Sequence, residues 1–188
     1  MANANRPTGL SPVRSIYSPR EGQANVYSIA AGYGTALAIG DPVIVSGTAS
    51  ADGYPGVALA AATGNIRGVI VGLGRSPTVM ANWANLDSTV RPASDPNVWY
   101  ALVVDDPNAI FEVQAATAAA TDVGGNANLV LAANNGFVSG WTLAGTYGTA
   151  AAQCRVLGLA PRQDNEFGAY AKLLVRINQH ELTQTTGI

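Results

Sequence analysis

Asp105 and Asp106 are the only adjacent carboxylates in the chain. Two carboxyl groups held at a defined separation can cleave a glycosidic bond, one as acid and the other as base or nucleophile. Neighbours just before a proline diverge in direction, however, and Asp105-Asp106-Pro107-Asn108 has the composition of a turn. Proline presets φ there, and acidic or amide side chains bond back to their own backbone. A calcium loop on Asp105, Asp106 and Asn108 would lack the remaining ligands of a recognisable motif.

Other reactive groups are few: one histidine (His180), one cysteine (Cys154) and one lysine (Lys172). A hydroxyl or thiol nucleophile would have to recruit His180 as its base, and no G-x-S-x-G elbow occurs. His180 follows Asn178-Gln179, just past the last strand pattern, and reads as exposed or locally bonded. One histidine without grouped carboxylates does not make a metal site. Cys154 has no partner for a disulfide and reads as a small buried thiol. Gly32-Tyr33-Gly34 and Gly72-Leu73-Gly74 each begin a dinucleotide fingerprint, but its third glycine position holds Leu37 or Pro77. Lys172 has no phosphate-binding loop before it. Trp83, Trp99 and Trp141 could stack on a sugar, but read as core or interface anchors. The residues therefore predict a protein that is not an enzyme and holds no cofactor or metal.

Composition supports a protein that works as a surface. Charged residues make up 12% of the 188, about half the roughly 25% of ordinary globular chains. A monomer so poor in charge has difficulty keeping its surface free of apolar patches, so much of it is expected to be covered by copies or by a partner. The net charge of −2 offers no footprint for nucleic acid. Met1 to Pro12 is polar and unlike a secretory signal, and no run approaches the ~20 apolar residues that cross a membrane. At this length the chain fits one domain with a substantial core.

The elements that must position these groups read as β. Pro7, Pro12 and Pro19, with Gly9 and Gly22, exclude a continuous helix from residues 1–24. That stretch is expected to be a free tail or an extended arm that docks on a neighbouring subunit. A β domain follows over 25–182, with a short tail at 183–188. Strand patterns lie at Val26–Ile29, Val43–Val45, Val57–Leu59 and Arg155–Leu159. Gly68–Gly74 is apolar throughout, as for a strand buried on both faces. Trp99–Val104 and Ile110–Gln114 read as a hairpin about the Asp105–Asn108 turn. Leu129–Leu131 and Phe137–Val138 read as another about Asn135-Gly136. Trp83 and Leu86 could anchor a helical turn, and the alanine-rich 115–121 one or two more. In Tyr170–Ile177, Ala171, Leu173, Val175 and Ile177 alternate inward. About nine or ten short strands with turns between them predict an all-β fold, an antiparallel β-barrel or β-sandwich with an extended N-terminal arm.

Four segments of the second half carry a family resemblance. They are Asp105-Asp106-Pro107-Asn108-Ala109-Ile110-Phe111-Glu112-Val113-Gln114, Val123-Gly124-Gly125-Asn126-Ala127-Asn128-Leu129, Arg155-Val156-Leu157-Gly158-Leu159 with Asp164-Asn165-Glu166, and Leu174-Val175-Arg176-Ile177-Asn178-Gln179-His180. They resemble small virion structural proteins of tailed bacteriophages, the capsid decoration or cement proteins. The resemblance implies an all-β protein made in the host cytoplasm and added to the exterior of an icosahedral head, often as a homotrimer. Its partner would be the major capsid protein, and its role would be to stabilise the capsid by bridging subunits. Nucleic acid and membrane are not expected as partners. In that role the arm residues Arg14, Ile16, Tyr17 and Arg20 are the expected subunit or capsid contacts. The alternative is a receptor- or glycan-binding β-module using the tryptophans and loop acids such as Asp95 and Asp105. A small hydrolase on Asp105 or Asp106 is a third reading.

Overall fold

A computed structural model describes residues 3–16, 23–78 and 88–184. The expected helical turn at Trp83 and Leu86 lies outside the described residues, as do Tyr17, Arg20 and the end of the C-terminal tail. The fold is all-β, as the patterning predicts. In chain order the strands are β1 (Ser11–Ser15), β2 (Ala24–Ile29), β3 (Leu37–Ala38), β4 (Pro42–Ala49), β5 (Pro55–Leu59), β6 (Gly68–Gly74), β7 (Val90–Arg91) and β8 (Trp99–Val104). There follow β9 (Ala109–Gln114), β10 (Thr117–Ala118), β11 (Asn126–Ala127), β12 (Leu129–Val130), β13 (Thr142–Leu143), β14 (Cys154–Leu159), β15 (Gly168–Ala169) and β16 (Lys172–Ile177). Nine of these have five residues or more, and the rest are two-residue pairings that pin loops.

Two bodies are built from them. β2-β5-β4-β6-β8 closes into a barrel, and β1-β9-β16-β14-β11 forms a five-stranded sheet beside it. The barrel is antiparallel except at its closure, where β2 meets β5 in parallel through the single pair Ser28↔Gly56. Barrel closure removes the exposed edges that invite aggregation.

The apolar run of β6 is explained by its position between two cores. Ile70 and Leu73 point into the barrel with Ile29, Val43 and Val103, whereas Val69 joins Phe111, Val175 and Trp141 between barrel and sheet. Alternation in β16 follows the predicted phase, with Ala171, Leu173, Val175 and Ile177 all buried. Each fully buried aliphatic or aromatic chain of this kind is worth about 1.5–3 kcal/mol in transfer free energy.

Several expectations are corrected. The segments Trp99–Val104 and Ile110–Gln114 do not form a hairpin. Both neighbours of β8 are barrel strands, β2 and β6, and both neighbours of β9 are sheet strands, β1 and β16. The Asp105–Asn108 turn is instead the crossing from barrel to sheet. Leu129–Val130 pairs with Thr142–Leu143 rather than with Phe137–Val138. The Asn135-Gly136 turn is real, with Gly136 at φ +90°, but it heads a local loop. Asn135 Oδ1 accepts from the Phe137 and Val138 amides and so satisfies backbone that a hairpin ladder would otherwise pair. The alanine-rich 115–121 segment contributes β10 and a 3-10 turn over Ala120–Asp122.

The arm is extended, but its described part docks on its own chain. Leu10 is buried in the core between barrel and sheet, and β1 adds to β9 as the sheet's edge strand. Gly9 makes this possible. At φ +67°, a Cβ there would lie 2.3 Å from the Gly40 carbonyl oxygen and 2.5 Å from Ser139 Cβ. Only glycine lets the arm pass between those two segments.

Candidate partner-binding surface

Pro12 lacks a backbone donor, so β1 suits a sheet edge and no central place. The ladder with β9 slips between Pro12 and Arg14. This bulge leaves Val13 exposed, and Arg14 and Ile16 are also exposed at the end of the strand. The amide of Ile16 donates to the Asn108 carbonyl, which fixes the arm against the crossing turn. Of the four predicted contact residues, the structure therefore brings Arg14 and Ile16 together on one exposed edge. Tyr17 and Arg20 lie outside the described residues.

Beside this edge runs a shallow groove of about 490 Å³. Val13, Ile39 and Val138 form its apolar side, and Glu112, Arg162 and Lys172 its polar side. Next to Val138, the Asn134–Val138 loop carries Phe137, which is 71% exposed. Asn134 Oδ1 accepts from the Gly136 amide, so the loop that presents this ring is internally braced. Arg162 binds Glu112 at 2.6 Å and approaches Asp164 at 3.7 Å. It also lines a second pocket, of about 160 Å³, with Asn3, Arg6, Tyr170 and Lys172. Tyr170 holds φ +59°, an uncommon conformation for a bulky side chain. Sequence reasoning did not single out Phe137, Val13 or Tyr170. Phe137 had a signal in its placement beside an Asn-Gly turn, where a large apolar residue has little cover.

The groups with chemistry are instead engaged within the fold. Tyr27 donates to Asp105 Oδ2 at 2.6 Å and accepts from Arg67 Nε at 2.8 Å. Asn25 donates to Asp105 Oδ1, and Arg67 lies 3.7 Å from the same carboxylate. Burial, then the bond to Asp105, pushes the Tyr27 phenol up to about 12. Asp106 accepts from Ser15 Oγ and from the Asn108 amide, the turn-forming bond its position predicts. Asp95 accepts from the backbone and then the side-chain nitrogen of Asn97, which lower its carboxyl below the ordinary range, and Arg75 stands 3.0 Å away. Cys154 is buried and its thiol is pushed up to about 12 by that burial. Trp99 and Trp141 are core residues; Trp83 lies outside the described residues.

His180 is locally bonded, as predicted, but it is not exposed. It is 1% exposed, and its Nδ1 accepts from the Leu182 amide at the start of a 3-10 turn. Burial, then nearby Arg67, lowers its pKa to about 4. The folded protein thus refuses a proton that the unfolded chain accepts near 6.5. Stability should fall as pH drops from about 6.5 to about 4 and then level, by at most about 3.5 kcal/mol. Glu181, whose carboxyl is raised by burial, contributes the opposite slope at the acid end. The comparison that isolates His180 is therefore urea unfolding of wild type against His180→Asn, whose side-chain oxygen can keep the bond to Leu182. The variant should lose the slope between pH 6.5 and 4; equal slopes in both proteins would refute the assignment.

No protein-family model matches this chain, and no curated protein or solved structure matches it either. Among the described residues no helix is long and apolar enough to cross a membrane.

Proposed function

We propose that this chain is a structural virion protein of the cement type, which binds the outside of an icosahedral phage head and bridges major capsid protein subunits, acting as a homotrimer. The observation that carries this reading is the exposed apolar edge: Val13 on β1 and Ile16 just after it, the groove beside Val13, and Phe137 on a braced loop. Apolar side chains set on a rigid β frame and rimmed by polar ones are what a docking surface requires. An interface of about 800 Å² per partner gives specific binding, and a trimer multiplies weak contacts through effective concentration. The four resembling segments supply the capsid as partner. The glycan-binding alternative draws no support from Trp99 or Trp141, which are buried.

Cosedimentation with capsids that lack the protein tests the reading. Saturation at a ratio commensurate with the icosahedral lattice is the expected result. Val13→Asp combined with Phe137→Ser should weaken binding at least tenfold while leaving the unfolding midpoint nearly unchanged, since both side chains are exposed. Absence of wild-type binding to immature and to expanded capsids would reject the role.

A further inference from the structure

The outer face of the five-stranded sheet carries a row of like charges. Residues directly opposite one another in a ladder share a face, and the register aligns Arg14↔Ile110, Ile110↔Arg176 and Arg176↔Arg155 across β1, β9, β16 and β14. Ile110 is 4% exposed yet outside the core clusters, so it sits on this outer face between Arg14 and Arg176. The next row holds Glu112 and Leu174, and the one beyond it Gln114 and Lys172. Like charges directly opposite in a sheet are destabilising. Among the described residues neither Arg14 nor Arg176 has a hydrogen bond or ion pair to offset this, and Arg155 has only a 3.4 Å bond to Asn126.

The charge of the described residues is partitioned accordingly. Arg6, Arg14, Arg155, Arg162, Lys172 and Arg176 are six of the chain's ten cationic residues, and all lie on this face or in the pocket beside it. Three of the twelve acids, Glu112, Asp164 and Glu166, belong to the same region. This side therefore carries +3, and the remaining described residues carry −4. The strained Tyr170 lies at its end, in the 160 Å³ pocket with Arg6, Arg162 and Lys172. Backbone strain of this kind persists where surrounding structure fixes it and is enriched at ligand clamps.

We infer that the outer face of the five-stranded sheet is a docking surface for an acidic polypeptide, whose carboxylates the Arg14–Arg176–Arg155 row receives. Guanidinium groups suit this partner because their planar donors grip a carboxylate with two bonds. Two features favour protein over nucleic acid. Glu112 stands in the middle of the face, where a continuous phosphate backbone would meet it, and Leu174 beside it calls for apolar contact. An excess of +3 is also small for nucleic-acid binding, which draws its affinity from many phosphate contacts.

The test uses the full chain and poly-L-glutamate as probe, with a short DNA duplex as competitor, at low and at physiological salt. Wild type should bind polyglutamate in a salt-sensitive way. The variant R14Q/R155Q/R176Q should bind it about tenfold more weakly, whereas R75Q, which removes a cation elsewhere, should not. E112Q supplies an independent reading, because removing the central negative charge should tighten binding. Undiminished binding by the triple variant, or tighter binding of the duplex than of polyglutamate, would overturn the proposal. Salt-sensitive self-association in wild type that the triple variant lacks would also overturn it, in favour of a second copy as occupant. None of these readouts involves capsids, so their failure and that of the cement reading are separable.

Discussion

Replacing Arg91 with methionine should cost about 3–5 kcal/mol, at the upper end of what one side chain contributes. Arg91 is 0% exposed and meets no carboxylate at bonding distance. Its guanidinium instead donates to four backbone carbonyls: Tyr33 at 2.7 Å, Thr35 at 3.3 Å, Ala30 at 3.2 Å and Asp95 at 3.4 Å. Burial lowers its pKa, and the neighbouring Asp95 opposes that shift. Three of the carbonyls keep a backbone partner when the guanidinium is removed, since Tyr33, Ser94 and Gly32 amides donate to Ala30, Tyr33 and Asp95 in turn. The loss is therefore mainly that of the charged bonds themselves and not of orphaned carbonyls; the Tyr33 and Ala30 bonds are the shortest, and hydrogen bonds from a charged donor are worth about 1.5–3 kcal/mol each. Methionine preserves most of the stem's packing, so the difference reports the guanidinium. Arg91→Lys should recover less than half, because an ammonium cannot fork to both loops. Urea midpoints decide it, and a loss below about 1 kcal/mol for methionine would show that the carbonyls are adequately served by backbone.

Asp105→Ala is the second large effect, again about 3–5 kcal/mol, the cost of breaking a buried pair by removing one partner. The carboxylate takes bonds from Tyr27 and Asn25 and faces Arg67, and the Tyr27 ring also lies under the Arg67 guanidinium at 5.6 Å. Truncation leaves the Tyr27 hydroxyl buried without its acceptor and Arg67 without its counter-charge. Asp106→Ala is the matched control. That carboxylate is half-buried and serves Ser15 and Asn108, so about 1 kcal/mol is expected. Comparable losses in the two variants would mean that the turn, and not the network, carries the energy.

These two residues show what the sequence could and could not convey. Strand positions were legible because period-two alternation and apolar runs are local: Gly68–Gly74 is bounded as its glycines suggest, and β16 points inward in the predicted phase. Pairing was not, since it depends on which strands meet. Trp99–Val104 and Ile110–Gln114 look like hairpin arms across a good turn, yet belong to different bodies. Asp105 and Asp106 were legible as turn residues, but only the fold assigns one of them to Tyr27 and Arg67, far away in sequence. Arg91 gave no signal, because a buried arginine bound to carbonyls has no partner that composition can reveal. For the surface, Arg14 and Ile16 follow from the arm's character. The alignment of Arg14 with Arg176 and Arg155 needs the register of four strands.

The connectivity of the sheet also constrains the order in which the molecule can be assembled during synthesis. Every barrel strand lies within residues 24–104, so the barrel has all its pieces while much of the chain is still being made. The five-stranded sheet does not. Its central strand β16 is the last to be synthesised and is flanked by β9 and β14. Until residue 177 has left the ribosome, β9 lacks one neighbour and the core residues Phe111 and Val113 lack the Val175 and Leu173 that pair with them. The surface that bears the arginine row thus exists only once β16 has been made, well after the barrel has all its strands, which ties docking competence to the arrival of that one strand.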